Sequence, residues 1–239
     1  MEDYSPDNSL PPPSPSLPKI QLIFLLFVLI GYPALSIIMG LSGNTDPARI
    51  ASRVAQVYLP TLLIQAAMLA VLWTVLYRSR ARFAEIGFAR KDITLSNIIS
   101  AIIFFIGAWG LMVIIKGSIE RSGYLPEADF YRLLPANAFE AGIWAILSVG
   151  AAFSEELIFR GFVITRIQLI VGRFWVGAVC GSLAFSLGHL YQGTAGVFLT
   201  FLYGLLFSGL FAARKTVFPC VVAHFLQDII VLGTLFVRP

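Results

Sequence analysis

His189 and His224 are the two histidines of a 239-residue chain. Both fall in apolar stretches of membrane-spanning length, and so do the adjacent acids Glu155 and Glu156, the cation Arg160 and the acid Asp228. Imidazoles and carboxylates exchange protons with a reacting group near neutral pH, the work of a general acid or base. Placing an ionised group in hydrocarbon costs at least about 2.5 to 3.5 kcal/mol, so such groups face a protein interior or a wet cavity and serve chemistry or transport.

Spacing sorts these residues. In AAFSEELIFRGF, Glu156 and Arg160 are four apart, acid first, which favours an ion pair on one helix face. On an α-helix Glu155 is rotated by about 100° from Glu156, so the two acids can have different partners. If Arg160 neutralises Glu156, Glu155 remains desolvated beside a second negative charge, which suits a general base. A structural salt bridge accounts for Glu156 and Arg160 but leaves Glu155 unexplained. The segments FSLGH and HFLQD place His189 four residues after Phe185, and Asp228 four after His224. A single imidazole in a span can be a helix-to-helix hydrogen bond; two on different helices suggest a shared site.

The elements that carry these residues are membrane spans. The chain is 58% apolar and 13% charged, with a mean hydropathy of +0.83, outside the balance of a water-soluble domain. Apolar runs of the required length occur at about Ile20 to Leu41, Val54 to Tyr77, Ile98 to Ile115, Ala138 to Val163, Phe174 to Tyr191, Ala195 to Ala213 and Val217 to Val237. They lack the alternation of barrel strands, so the expected fold is all-α, a polytopic transmembrane bundle of about seven to eight helices. Residues 1–19 read as a disordered, Pro-rich cytoplasmic tail without the basic start of a signal peptide. Residues 20–239 then form one integral membrane domain, with a reactive core at about 138–233.

Arg78, Arg80, Arg82, Arg90 and Lys91 crowd the second connection, and Arg166, Arg173, Arg214 and Lys215 join them on the same side with Lys19. Arg49, Arg53, Lys116, Arg121, Arg132 and Arg238 fall opposite, so the N-terminus is expected in the cytosol. The net charge of +4 suits anionic headgroups and gives no support to nucleic-acid binding. Segment 117–137 is the longest polar connection, with Asp129 to Leu134 able to form a short interfacial helix. Cys180 and Cys220 read as small hydrophobes. No internal repeat is present, which weakens a transporter reading. The small residues Gly177, Gly181, Ser182, Gly204, Ser208 and Gly209 suit close helix packing. Counting about 1.5 Å per residue from the basic loops puts Glu155 and His224 at about 16 and 14 Å, but His189 at about 24 Å. Bringing it to the others requires tilt, a shorter helix or a deeper start.

EELIFR, FSLGH and HFLQD resemble, in order and in span, the EExxxR, FxxxH and HxxxN/D motifs of the CPBP family of intramembrane glutamic proteases. That family includes CAAX endopeptidases, bacteriocin-processing enzymes and abortive-infection-like proteins. The resemblance runs from about Ala138 to Gly233. It implies metal-independent peptide hydrolysis, with no cofactor, on a membrane-associated, lipidated or exported protein or peptide. It also implies that Glu155 and His189 activate water, that Glu156 with Arg160 organises the site, and that His224 with residue 228 stabilises the oxyanion. Asp228 stands where asparagine also occurs in the family, and an ionised Asp donates no hydrogen bond. It would then either orient His224 or remain protonated. The competing readings are a zinc-dependent membrane hydrolase, although no HExxH occurs, and a proton-coupled transporter. Short loops suggest a bacterial plasma membrane.

Overall fold

A computed structural model describes residues 17–41, 50–123, 133–230 and 232–233. The tail at 1–16 and the Asp129 to Arg132 part of the expected interfacial segment lie outside the described residues. The described residues form seven helices and no strand. Helix α1 joins Lys19–Leu26, a π stretch Phe27–Gly31 and Tyr32–Leu41. Helix α2 joins a π turn Val54–Tyr58 to Leu59–Arg78. Leu95–Arg121 is α3. Helix α4 runs through Ala138–Glu155, the π stretch Glu156–Val163 and Ile164–Val171. Phe174–Leu187 is α5, Gly193–Arg214 is α6 and Phe218–Ile229 is α7.

Local chemistry sets the ends. Thr94 caps α3 by accepting from the Asn97 amide, and Asn137 caps α4 by accepting from the Glu140 amide, each satisfying an orphan donor of the first turn. Gly172, at φ 73°, closes α4 in a left-handed conformation that glycine adopts without strain. The helix therefore continues past the expected end at Val163. Arg166, expected in a loop, is instead a buried helical residue 3.9 Å from Glu85.

Five helical segments are long and apolar enough to cross a membrane: Lys19–Ile38, Val54–Arg78, Leu95–Arg121, Ala138–Val171 and Leu190–Arg214. The remaining two of the seven expected spans are shorter helices, with α5 having 14 residues and α7 having 12. Apolar side chains such as Ile23, Trp73 and Ile103 point outward, the pattern of helices solvated by lipid tails. Helix α4 is the most buried of the five long ones and forms the axis of the bundle. Helices α5 and α7 both pack on it, while α3 lines α7 and α6 lines α5.

Backbone approach is closest where side chains are absent. A Cβ on Gly177 would lie 2.9 Å from the Ile164 backbone, and one on Gly204 would lie 2.7 Å from the Ser182 Cβ. These contacts let α5 seat against α4 and α6, in agreement with small-residue packing. Gly209, by contrast, faces open space.

Candidate active site

The six candidate residues lie on α4, just past the exit of α5, and on α7. The α-to-π change in α4 falls between the two glutamates. A π stretch bonds residue i to i+5 and is a recurrent feature of functional sites; the sequence pattern suggested an uninterrupted α-helix. Glu155, the last α residue, keeps 23% of its side chain exposed, whereas Glu156, the first π residue, keeps 1%. The two acids thus face different surroundings, as their rotation required.

Glu156 is the hub. Its Oε1 accepts from Arg160 Nη1 at 2.9 Å and from His224 Nδ1 at 2.8 Å. The Arg160 guanidinium carbon lies 4.6 Å from the Phe185 ring centroid and 5.2 Å from that of Phe207. A planar, weakly hydrated cation suits burial between aromatic faces better than an ammonium does. Phe185 therefore has a physical task in its motif: its ring lies against Arg160, and its backbone carbonyl is 2.9 Å from His189 Nδ1.

Because carboxylates and carbonyls only accept, Nδ1 is the donor in both histidines. In His189 this leaves Nε2 available to a ligand. The residue follows the end of α5 instead of lying within it, at the entrance to a single 3₁₀ turn, Leu190–Gln192. Its ring turns back over Phe185, with centroids 4.5 Å apart. The His189 side chain reaches back by a turn to the Phe185 carbonyl. Because α4 runs on to Val171 instead of ending before Arg166, Glu155 stands about as many residues from its helix end as His189 does from Arg173, which removes the excess height.

His224 Nε2 stands 3.7 Å from Glu155 Oε2 and 3.7 Å from Asp228 Oδ2. The carboxylate that orients this imidazole is accordingly Glu156, and Asp228 faces the opposite nitrogen. No hydrogen bond or ion pair among the described residues joins Glu155 directly to His189. Trp144 Nε1 donates to the backbone carbonyl of Asp228 at 2.9 Å, and Tyr58 packs edge-on against Trp144 with centroids 5.7 Å apart. The end of α7 is thereby tied to α4 and α2.

Three further aromatic residues around the site escaped sequence reasoning. Trp144 is one; the others are Tyr32 and Tyr191, both in electrostatic reach of Glu155. Tyr32 belongs to a span too generic to attract notice, and its ring and hydroxyl lie against Gly188, where a Cβ would collide with them. A phenol in an otherwise apolar span was the available signal. Cys180 and Cys220 are free thiols, and Cys220 is fully buried. Among the described residues, no three His, Cys, Asp or Glu side chains form a group that could hold a metal ion.

The arrangement offers a partly open carboxylate, an imidazole with a free nitrogen, and a second imidazole locked to a buried ion pair. These are the parts of a proton-transfer and charge-stabilising site. Residues 137–230 match the family model described as Rce1-like, type II CAAX prenyl endopeptidase Rce1-like. All six candidate residues lie inside the matched segment. No curated protein and no solved structure matches the chain.

Proposed function

We propose, for a chain whose residues 137–230 carry an Rce1-like CAAX endopeptidase domain in an all-helical membrane protein, that it hydrolyses peptide bonds by a glutamate-activated water. The match supports a membrane protease of the CPBP and CAAX type. The observation that carries the finer reading is the division between the two adjacent acids: Glu156 is buried in an ion pair and Glu155 is partly open beside His224.

Glu155 takes one proton from water as the oxygen attacks the carbonyl carbon, and the free Nε2 of His189 accepts a hydrogen bond from the other O–H, which stays intact, and fixes the attack direction. The carbonyl π electrons move to oxygen. With a proton on Nε2 as well, His224 donates to that oxyanion. Glu155 then returns its proton to the amide nitrogen, and the C–N bond breaks. Glu156 and Arg160 do not exchange protons; they hold His224 in place. Asp228 supports a positively charged His224 electrostatically.

The substrate in this reading is a membrane-associated, lipidated or exported protein or peptide. The family description favours a prenylated C-terminal segment. The protein would reside in a bacterial plasma membrane as a multi-pass protein with its N-terminus and residues 1–19 in the cytosol. It would need no cofactor or metal, and no nucleic-acid partner. The test compares the membrane and secreted peptides of wild-type and Glu155→Gln cells by N- and C-terminal proteomics, together with cleavage by purified protein after thorough chelation. Cleavage products that vanish with Glu155→Gln and survive chelation support the reading. Identical peptide sets would sink it, and activity restored only by zinc would replace it with the metallohydrolase.

A further inference from the structure

Directly after His189, the chain makes the 3₁₀ turn Leu190–Gln192 and reverses into α6 at Gly193, whose φ of 75° favours glycine. The turn brings the Tyr191 ring to 5.8 Å from the His189 ring, centroid to centroid. It also places the Tyr191 hydroxyl in electrostatic reach of both Glu155 and Asp228.

A polarised chain of hydrogen bonds ends on that hydroxyl. Thr200 Oγ1 donates to Gln192 Oε1 at 3.4 Å, and Gln192 Nε2 donates to Tyr191 Oη at 3.2 Å. Residues 192, 196 and 200 are spaced four apart and share a face at the start of α6. A Cβ on Gly196 would strike the Gln192 Cβ and lie 3.3 Å from its Oε1. The missing side chain at 196 therefore leaves room for the Gln192 amide. Since the phenol oxygen already accepts from Gln192, its own proton remains to be given, and no acceptor among the described residues takes it.

We propose that Tyr191 donates this hydrogen bond to the carbonyl oxygen of the scissile peptide, and more strongly to the oxyanion formed from it, as a second donor beside His224. Gln192 and Thr200 are positioning residues that aim the phenol. The tyrosine keeps its proton throughout, so the balance of the hydrolysis is unchanged. The role explains how the site works with Asp228, which in ionised form supplies no donor. It rests on the peptidase reading.

The test uses the purified full chain in detergent, with a farnesylated CAAX peptide and a proteome-derived peptide library as probes and mass spectrometry as the readout. Tyr191→Phe is expected to lower kcat by about a hundred- to a thousandfold, the effect of removing one oxyanion donor, with KM and thermal unfolding little changed. Asp228→Asn added to that variant introduces an amide donor and is expected to recover on the order of tenfold. Gln192→Leu should reduce kcat by less than Tyr191→Phe does.

An unchanged kcat in Tyr191→Phe, or a rise in KM alone, overturns the proposal while leaving the peptidase reading intact. A loss of kcat matched by a fall in the thermal unfolding temperature assigns Tyr191 to packing and overturns it as well. Wild-type protein that cleaves neither probe refutes the peptidase reading itself, and the donor role falls with it.

Discussion

His224 Nδ1 and Arg160 Nη1 converge on the same oxygen of Glu156, at 2.8 and 2.9 Å. One buried carboxylate thereby joins α7 to α4 and compensates a guanidinium that is 2% exposed. The second glutamate of the pair is a structural hub for the His224 imidazole, while the first stays outside that ion pair and partly exposed.

That difference separates two conservative substitutions. Glu156→Gln removes the charge opposing Arg160, and breaking one side of a buried pair costs about 3 to 5 kcal/mol. Glu155→Gln removes a partly exposed group whose nearest ionic contact is at 3.7 Å, so stability should change little. Both should abolish cleavage, and thermal unfolding in detergent should distinguish them: a large loss for Glu156→Gln and a small one for Glu155→Gln.

Arg160→Lys keeps the charge but loses the flat surface held by Phe185 and Phe207. A desolvated cation–π contact is worth about 2 kcal/mol, so the variant should unfold at lower temperature and turn over more slowly despite its conserved charge. Wild-type stability in Arg160→Lys would show that the aromatic sandwich contributes nothing.

His189→Ala should reduce kcat by about a hundred- to ten-thousandfold, the range of general acid–base contributions, with less change in KM. The bond from Nδ1 to the Phe185 carbonyl leaves Nε2 unengaged, and in the proposed mechanism that nitrogen meets the attacking water and not the distant parts of a substrate. Single-turnover cleavage with excess enzyme is the measurement, and an effect confined to KM would contradict the assignment.

Gly161→Ala would place a Cβ 2.9 Å from the backbone carbonyl of Ile86, in the connection between α2 and α3. That connection also bonds to the N-cap of α7, since the Val217 amide donates to the Gly87 carbonyl at 2.8 Å. A backbone atom cannot swing aside, so overpacking of about 1 to 3 kcal/mol is expected. Gly209→Ala, with open space around it, should leave melting and cleavage unchanged.

Much of this was determined by the sequence. The cost of charge in hydrocarbon singled out Glu155, Glu156, Arg160, His189, His224 and Asp228, and hydropathy alone implied a helical membrane protein. Four-residue spacing paired Glu156 with Arg160 and separated it from Glu155, because both relations are local and a helix enforces them. Tertiary structure decided what depends on residues far apart in the chain. His224 turns its Nδ1 to Glu156 across 68 positions, and Arg160 lies against a ring from α5 and another from α6. The π stretch, the short α5 and the turn that carries His189 and Tyr191 also lay beyond periodicity. Which backbone bonds form there is settled by packing against neighbouring helices, and no run of apolar residues records that choice.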